Sequence, residues 1–144
     1  MRRGLGLTAL VWIGWAAGCK APTASQPPSP VDVRGQWAYA ATQTSPAQAS
    51  LSGTLAITTQ SGPSFGGTLD VVETDAQGQA RHLSGIVSGR LLDSASVDFD
   101  AFLDVSGRRH LGAVLGDSLH GTWVEQDAGG ATNSGAFAGR RTSR

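Results

Sequence analysis

At 144 residues, with 11 basic and 11 acidic side chains and no formal net charge, the chain has room for one domain and no basic face for nucleic acid. Its single cysteine excludes an intrachain disulfide, so the folded part must rest on its core. His82, His110 and His120 are too few and too scattered for metal-ligand spacing, and no cofactor is expected.

The chain opens MRRGLGLTALVWIGWAAGC. Arg2 and Arg3 precede a mostly apolar run, Leu5 to Ala17, and small residues lead up to Cys19, which is the layout of a secretory signal. The run is well short of the roughly 20 residues that a permanent membrane-spanning helix needs. The segment Ala16-Ala17-Gly18-Cys19 resembles the lipobox of bacterial lipoproteins, with Ala16 where leucine is usual. That resemblance implies removal of residues 1–18, a diacylglycerol on the Cys19 sulfur and attachment to a membrane through the lipid. Ordinary signal cleavage nearby, leaving Cys19 as a free thiol or removing it, is the alternative. Lys20, not aspartate, follows the cysteine, so the same resemblance favours the outer membrane, facing the periplasm or the cell surface. Without Arg2 and Arg3 the net charge becomes −2.

Residues 19–33 carry the lipid site and a tether. The stretch KAPTASQPPSPVDV is rich in Pro, Ser and Ala and has almost nothing to bury. In polyproline geometry, at about 3.1 Å per residue, it reaches on the order of 40 Å. The domain proper is expected over 34–144.

From Arg34 onward apolar residues alternate with polar or small ones at period two, punctuated by Gly, Pro, Asp and Asn. The pattern predicts eight strands, near 35–42, 51–59, 65–74, 80–88, 95–103, 109–115, 118–126 and 134–141. Trp37, Tyr39, Leu55, Leu69, Leu83, Phe99, Val114, Trp123 and Phe137 share one phase. Thr54, Asp70, Ser84, Asp98, Asp100 and Thr122 stand on the other. So one-sided a sheet buries its apolar face by curling on itself, and closure into an antiparallel up-and-down barrel also removes both edges. A hairpin about Gly116-Asp117 pairs Leu115 with Ser118, sets Gly112 against Gly121 and His110 against Trp123. A transmembrane barrel is rejected because the predicted strands fall short of the 9–11 residues of a span and because the polar phase faces out.

Gly35-Gln36-Trp37, opening the first strand, resembles the Gly-x-Trp start of the calycin superfamily, which includes lipocalins, fatty-acid carriers and avidins. The resemblance implies a small barrel closed at one end by an arginine of the last strand packed across the tryptophan. Arg141, in phase with Phe137, is the candidate, with Arg140 in reserve. The Thr-Asp-Tyr-type turn of lipocalins is missing.

Gly116-Asp117-Ser118-Leu119 spells the nucleophile motif of GDSL lipases and esterases, but no Asp-x-x-His follows it. It reads as a hairpin corner, with a hydrolase using Ser118 as a distant alternative. Glu73 and Glu125 end their strands on the inward phase and are expected at a rim, solvated. Inward glycines such as Gly53, Gly67, Gly85, Gly112, Gly121 and Gly139 admit two interiors. One is a solid core under closely approaching strands. The other is an open pocket lined by Tyr39, Phe99, His110, Trp123 and Phe137. The expected function is a non-enzymatic envelope lipoprotein whose barrel binds a small apolar ligand. The alternative is an interaction or scaffolding protein that meets an envelope partner through outward Phe102, Leu111 and Leu115.

Overall fold

The computed structural model describes residues 29–104, 106–126 and 132–144. Cys19, the signal segment and most of the tether lie outside them. The described residues form eight strands: β1 (Gly35–Ser45), β2 (Ala49–Ser61), β3 (Ser64–Asp75), β4 (Ala80–Leu91), β5 (Ser96–Leu103), β6 (Ser106–Leu115), β7 (Ser118–Gln126) and β8 (Thr132–Ser143). Each pairs antiparallel with the next, and β8 returns to β1, closing the barrel in simple up-and-down order.

Alternation gives this wall its sidedness. The inward phase supplies a continuous core from Trp37 and Leu55 through Leu69, Val87 and Phe99 to Phe137. The outward phase carries polar pairs such as the His82–Asp70 hydrogen bond and the Arg109–Asp98 ion pair, both at 2.9 Å. Strand lengths depart from expectation. They run from 8 to 13 residues, because ends such as Gln43–Ser45 and Gln60–Ser61 keep their ladder bonds after the apolar alternation stops. Length therefore no longer separates this barrel from a membrane-spanning one. Face polarity still does: an apolar inside and a charged outside are the reverse of a lipid-facing wall.

Close turns hold the register. Leu115 pairs with Ser118 across Gly116-Asp117, and Gly112 with Gly121. Gly116 has φ of 61°, a left-handed conformation that suits glycine in a two-residue hairpin. At Asp75 and Asp93 a carboxylate oxygen accepts two backbone N–H bonds from the following turn.

The inward glycines neither open the interior nor merely shrink it. A Cβ on Gly85 would stand 1.6 Å from the Phe102 carbonyl oxygen, and one on Gly67 1.8 Å from that of Ala56. The neighbouring strand's backbone occupies the place of the missing side chain. These positions are where the wall coils tightly enough to close.

The chain joins the barrel slightly ahead of Arg34. Val33 is buried, its N–H donates to Gln60 Oε1 at 2.9 Å, and Gln60 Nε2 donates to the Val31 carbonyl at 2.8 Å. Residues 31–33 thus form part of the packed domain.

Candidate functional site

Four of the five residues expected around a pocket meet in mid-barrel. Tyr39 from β1, Phe99 from β5, His110 from β6 and Phe137 from β8 are all buried. Phe99 stacks on the His110 ring with centroids 4.3 Å apart and planes 6° from parallel. Phe137 meets His110 edge-on at 5.0 Å and stacks on Tyr39 at 6.1 Å. At this level the interior is filled by the chain's own rings, so of the two interiors open from sequence the solid one is observed.

The polar atoms of that layer satisfy one another. His110 Nδ1 lies 3.0 Å from the Arg108 carbonyl oxygen, which only accepts, so Nδ1 carries the proton. Nε2 is then free to accept from the Tyr39 hydroxyl at 2.9 Å. Burial pushes the His110 imidazole down to about 4, with the Arg108 charge adding to it. Burial likewise raises the Tyr39 phenol. The pair is neutral at pH 7, and each group has a partner.

One layer beyond lies a group that the sequence reading did not assemble. Arg108, on the inward phase of β6, is 3% exposed. Its Nε donates to Glu125 Oε2 on β7 at 2.9 Å, and its Nη2 to Glu73 Oε2 on β3 at 2.8 Å. Asn133 Nδ2 adds a bond to Glu125 at 3.3 Å, and Arg81 one to Glu73 at 3.0 Å. For Glu125, burial works to raise the carboxyl, but bonds from Ser106 and Asn133 and the Arg108 charge together hold it below the usual range. Glu73 and Glu125, expected as solvated rim carboxylates, are instead paired on one buried guanidinium. The Arg108 guanidinium also lies 4.9 Å from the centroid of Trp123, the fifth expected pocket residue.

This end mirrors the opposite one. There the Arg141 guanidinium stands 4.3 Å over the Trp37 ring, the two residues being a cross-strand pair of β8 and β1. An arginine on a tryptophan therefore sits at each end of the barrel. The hydrogen bonding differs. At the first end Trp37 Nε1 donates to the Val33 carbonyl at 3.0 Å, Arg141 Nη2 to the Asp32 carbonyl at 2.8 Å, and Nη1 to the Arg34 carbonyl. Arg141 Nε faces Asp117 at 3.1 Å, off line for a hydrogen bond. At the second end Arg108 Nη1 and Trp123 Nε1 are buried with no acceptor among the described residues. An unmade bond at a buried donor costs about 1–3 kcal/mol.

The second end also carries a groove. It has a volume of about 440 Å³ and is lined by Gln43, Ala49, Thr74 and Asp75 among others. Trp123, Gly135, Gln43, Ala49 and Asp75 follow one another as cross-strand partners from β7 round to β3, so the groove and Trp123 share a row at this rim.

Ser118 lies at the start of β7 directly after the Gly116-Asp117 corner, exposed, with His120 exposed two residues on. Among the described residues there is no helix to form the strand-to-helix turn of a GDSL nucleophile, and no group of three or more His, Cys, Asp or Glu is placed for a metal. Of the outward apolar residues, Phe102 pairs with Ile86, whereas Leu111 pairs with Asp98 and Thr122 and Leu115 with Ser118.

Neither a protein-family model nor a curated protein sequence matches this chain. Solved structures do. EF1p2_mFAP2b bound to DFHBI aligns with a TM-score of 0.61 at 10% identity, over 76% of this chain and 93% of that one. The chain is a small closed β-barrel. A de novo designed fluorescence-activating β-barrel aligns at 0.52 and 15% identity over the same shares, 76% and 93%. The bradavidin2–biotin complex aligns at 0.48 and 12% identity, over 78% of this chain and 99% of that one. At such identities the likeness to the first two is one of fold alone, that of a small closed β-barrel.

Proposed function

We propose that the chain is a non-enzymatic, lipid-anchored protein of the cell envelope whose barrel binds a small molecule at the Arg108–Trp123 end. The difference between the two ends carries this reading: one is filled by the chain's own carbonyls, and the other, whose rim carries a groove, holds buried donors with no acceptor among the described residues. That EF1p2_mFAP2b was solved with DFHBI bound supports the capacity of such a barrel to hold a small ligand. A filled mid-barrel layer directs the ligand to the rim, not to the Tyr39–Phe99–His110–Phe137 cluster. Native mass spectrometry of the protein extracted from cells is expected to find a non-lipid small molecule travelling with it; none under gentle extraction would oppose the reading.

Cys19 supplies the anchor. Cys19→Ser is expected to abolish incorporation of labelled palmitate, and continued acylation would exclude the lipobox assignment. A second reading, docking of an envelope protein, is favoured by Ile86 and Phe102, which are 64% and 50% exposed and side by side on β4 and β5. It predicts that Phe102→Ser removes a protein crosslink and leaves any small molecule in place.

A further inference from the structure

We propose that Arg108 Nη1 and Trp123 Nε1 form a two-donor site for the carbonyl oxygen of a neutral amide, lactam or urea; this rests on the small-molecule reading above. The barrel itself indicates what oxygen such a pair takes. At the opposite end the equivalent arginine and tryptophan donate to peptide carbonyls, those of Val33, Asp32 and Arg34, brought in by the chain segment that enters there. At the Trp123 end no described residue brings a carbonyl to either donor. A carbonyl oxygen has two lone pairs, so a single one has the capacity to accept from both N–H groups.

Charge selects among carbonyl compounds. Arg108 is already bonded to Glu73 and Glu125, and Arg81 to Glu73, so two cations balance two carboxylates in the cluster. A carboxylate or phosphate ligand would bring an uncompensated negative charge to this balanced cluster. A cation would find no free acceptor facing it from Arg108 or Trp123. A neutral amide oxygen adds no charge and meets both donors. The groove at the same rim, lined by Gln43, Ala49 and Asp75, lies beyond Gly135 in the cross-strand row of Trp123 and is the nearest open space that row offers the rest of the molecule.

The test follows the indole protons by NMR in the ¹⁵N-labelled protein extracted in detergent, with Trp37→Phe and Trp123→Phe assigning the two signals. On titration with 2-pyrrolidinone, the Trp123 Nε1 proton is expected to move downfield and saturate. The Trp37 proton, already bonded to the Val33 carbonyl, is expected to stay. Acetate, the anionic probe, is expected to bind at least about tenfold more weakly, and Arg108→Lys, which keeps the charge but loses the fork, to weaken the lactam by a similar factor. A Trp123 proton that contacts only water and ignores 2-pyrrolidinone would mean that the site holds water alone, and the proposal fails. A preference for acetate would overturn it as well. If a small molecule travels with the extracted protein while its removal leaves the Trp123 proton unmoved, the two-donor site is wrong although ligand binding stands.

Discussion

His110 is a histidine that the fold keeps neutral. Its ring lies flat against Phe99, receives the Tyr39 hydroxyl bond and faces the charged Arg108 of its own strand, with Glu73 and Glu125 beyond. The folded value near 4 lies below the ordinary 6.5. Between those two values the unfolded chain takes up a proton that the native ring refuses. The His110 contribution is thus complete above about pH 6.5 and is lost as pH falls toward 4, roughly 3 kcal/mol in all. Urea unfolding at intervals across that window is expected to show the slope, and His110→Gln to flatten it; an unchanged slope in the variant would assign the effect elsewhere. Carboxylates held low, such as Glu125, act from the bottom of that window downward, because their stabilisation is lost only as pH falls through the ordinary carboxyl value near 4.5.

Trp37 and Arg141 invite a second measurement at this scale. Trp37 is fully buried, and its removal as Trp37→Ala is expected to cost about 3–5 kcal/mol, against a total of about 5–15 kcal/mol for such a domain. Arg141→Ala is expected to cost less, and Arg140→Ala, on the outer face, less again. The double variant should lose less than the sum, because the cation–π contact of about 0.5–2 kcal/mol is counted in both singles. Strict additivity in thermal or denaturant unfolding would show that the contact contributes nothing.

At the scale of elements, the strands differ in what makes them legible. The β6–β7 hairpin could be read to the residue because Gly116-Asp117 fixes the corner and alternation does the rest. Ends rich in Ser, Thr and Gln could not, since a backbone ladder continues without apolar side chains to announce it. Arg108 stands in the same phase as His110, and that much is visible in the alternation. A lone charge pointing into a greasy interior runs against the pattern, and its partners stand 35 and 17 residues away, so only the register of β3, β6 and β7 brings them together. Inward glycine was legible as a gap, not as the place where a neighbouring carbonyl sits. Gly85→Ala tests that distinction. With the Phe102 oxygen 1.6 Å from the added carbon, the strands must part, and a loss of several kcal/mol in unfolding free energy is expected. A neutral or stabilising alanine there would mean that the wall can relax its coil.

For the molecule as a whole, closure and polarity decide what the barrel can be. Pairing of β1 with β8 leaves no free edge for strand addition, and the outer wall carries ion pairs such as Arg109–Asp98, which a lipid-facing wall does not favour. The sequence carried that much, because sidedness is a property of every strand. It did not carry the inequality of the two ends, which depends on where residues 31–33 lie down.

That seat of Val33 also gives the molecule a compass. The chain leaves the barrel at the Trp37 pole, so an anchor at Cys19 would moor it from that side. The Arg108 pole would then look away from the bilayer, toward whatever diffuses in the aqueous space, and a molecule dissolved in the membrane would have to leave it before being caught. Pull on the mooring would fall first on the Gln60–Val31 bond, and only then on the bonds of Asp32 and Val33, at the far pole from the cargo.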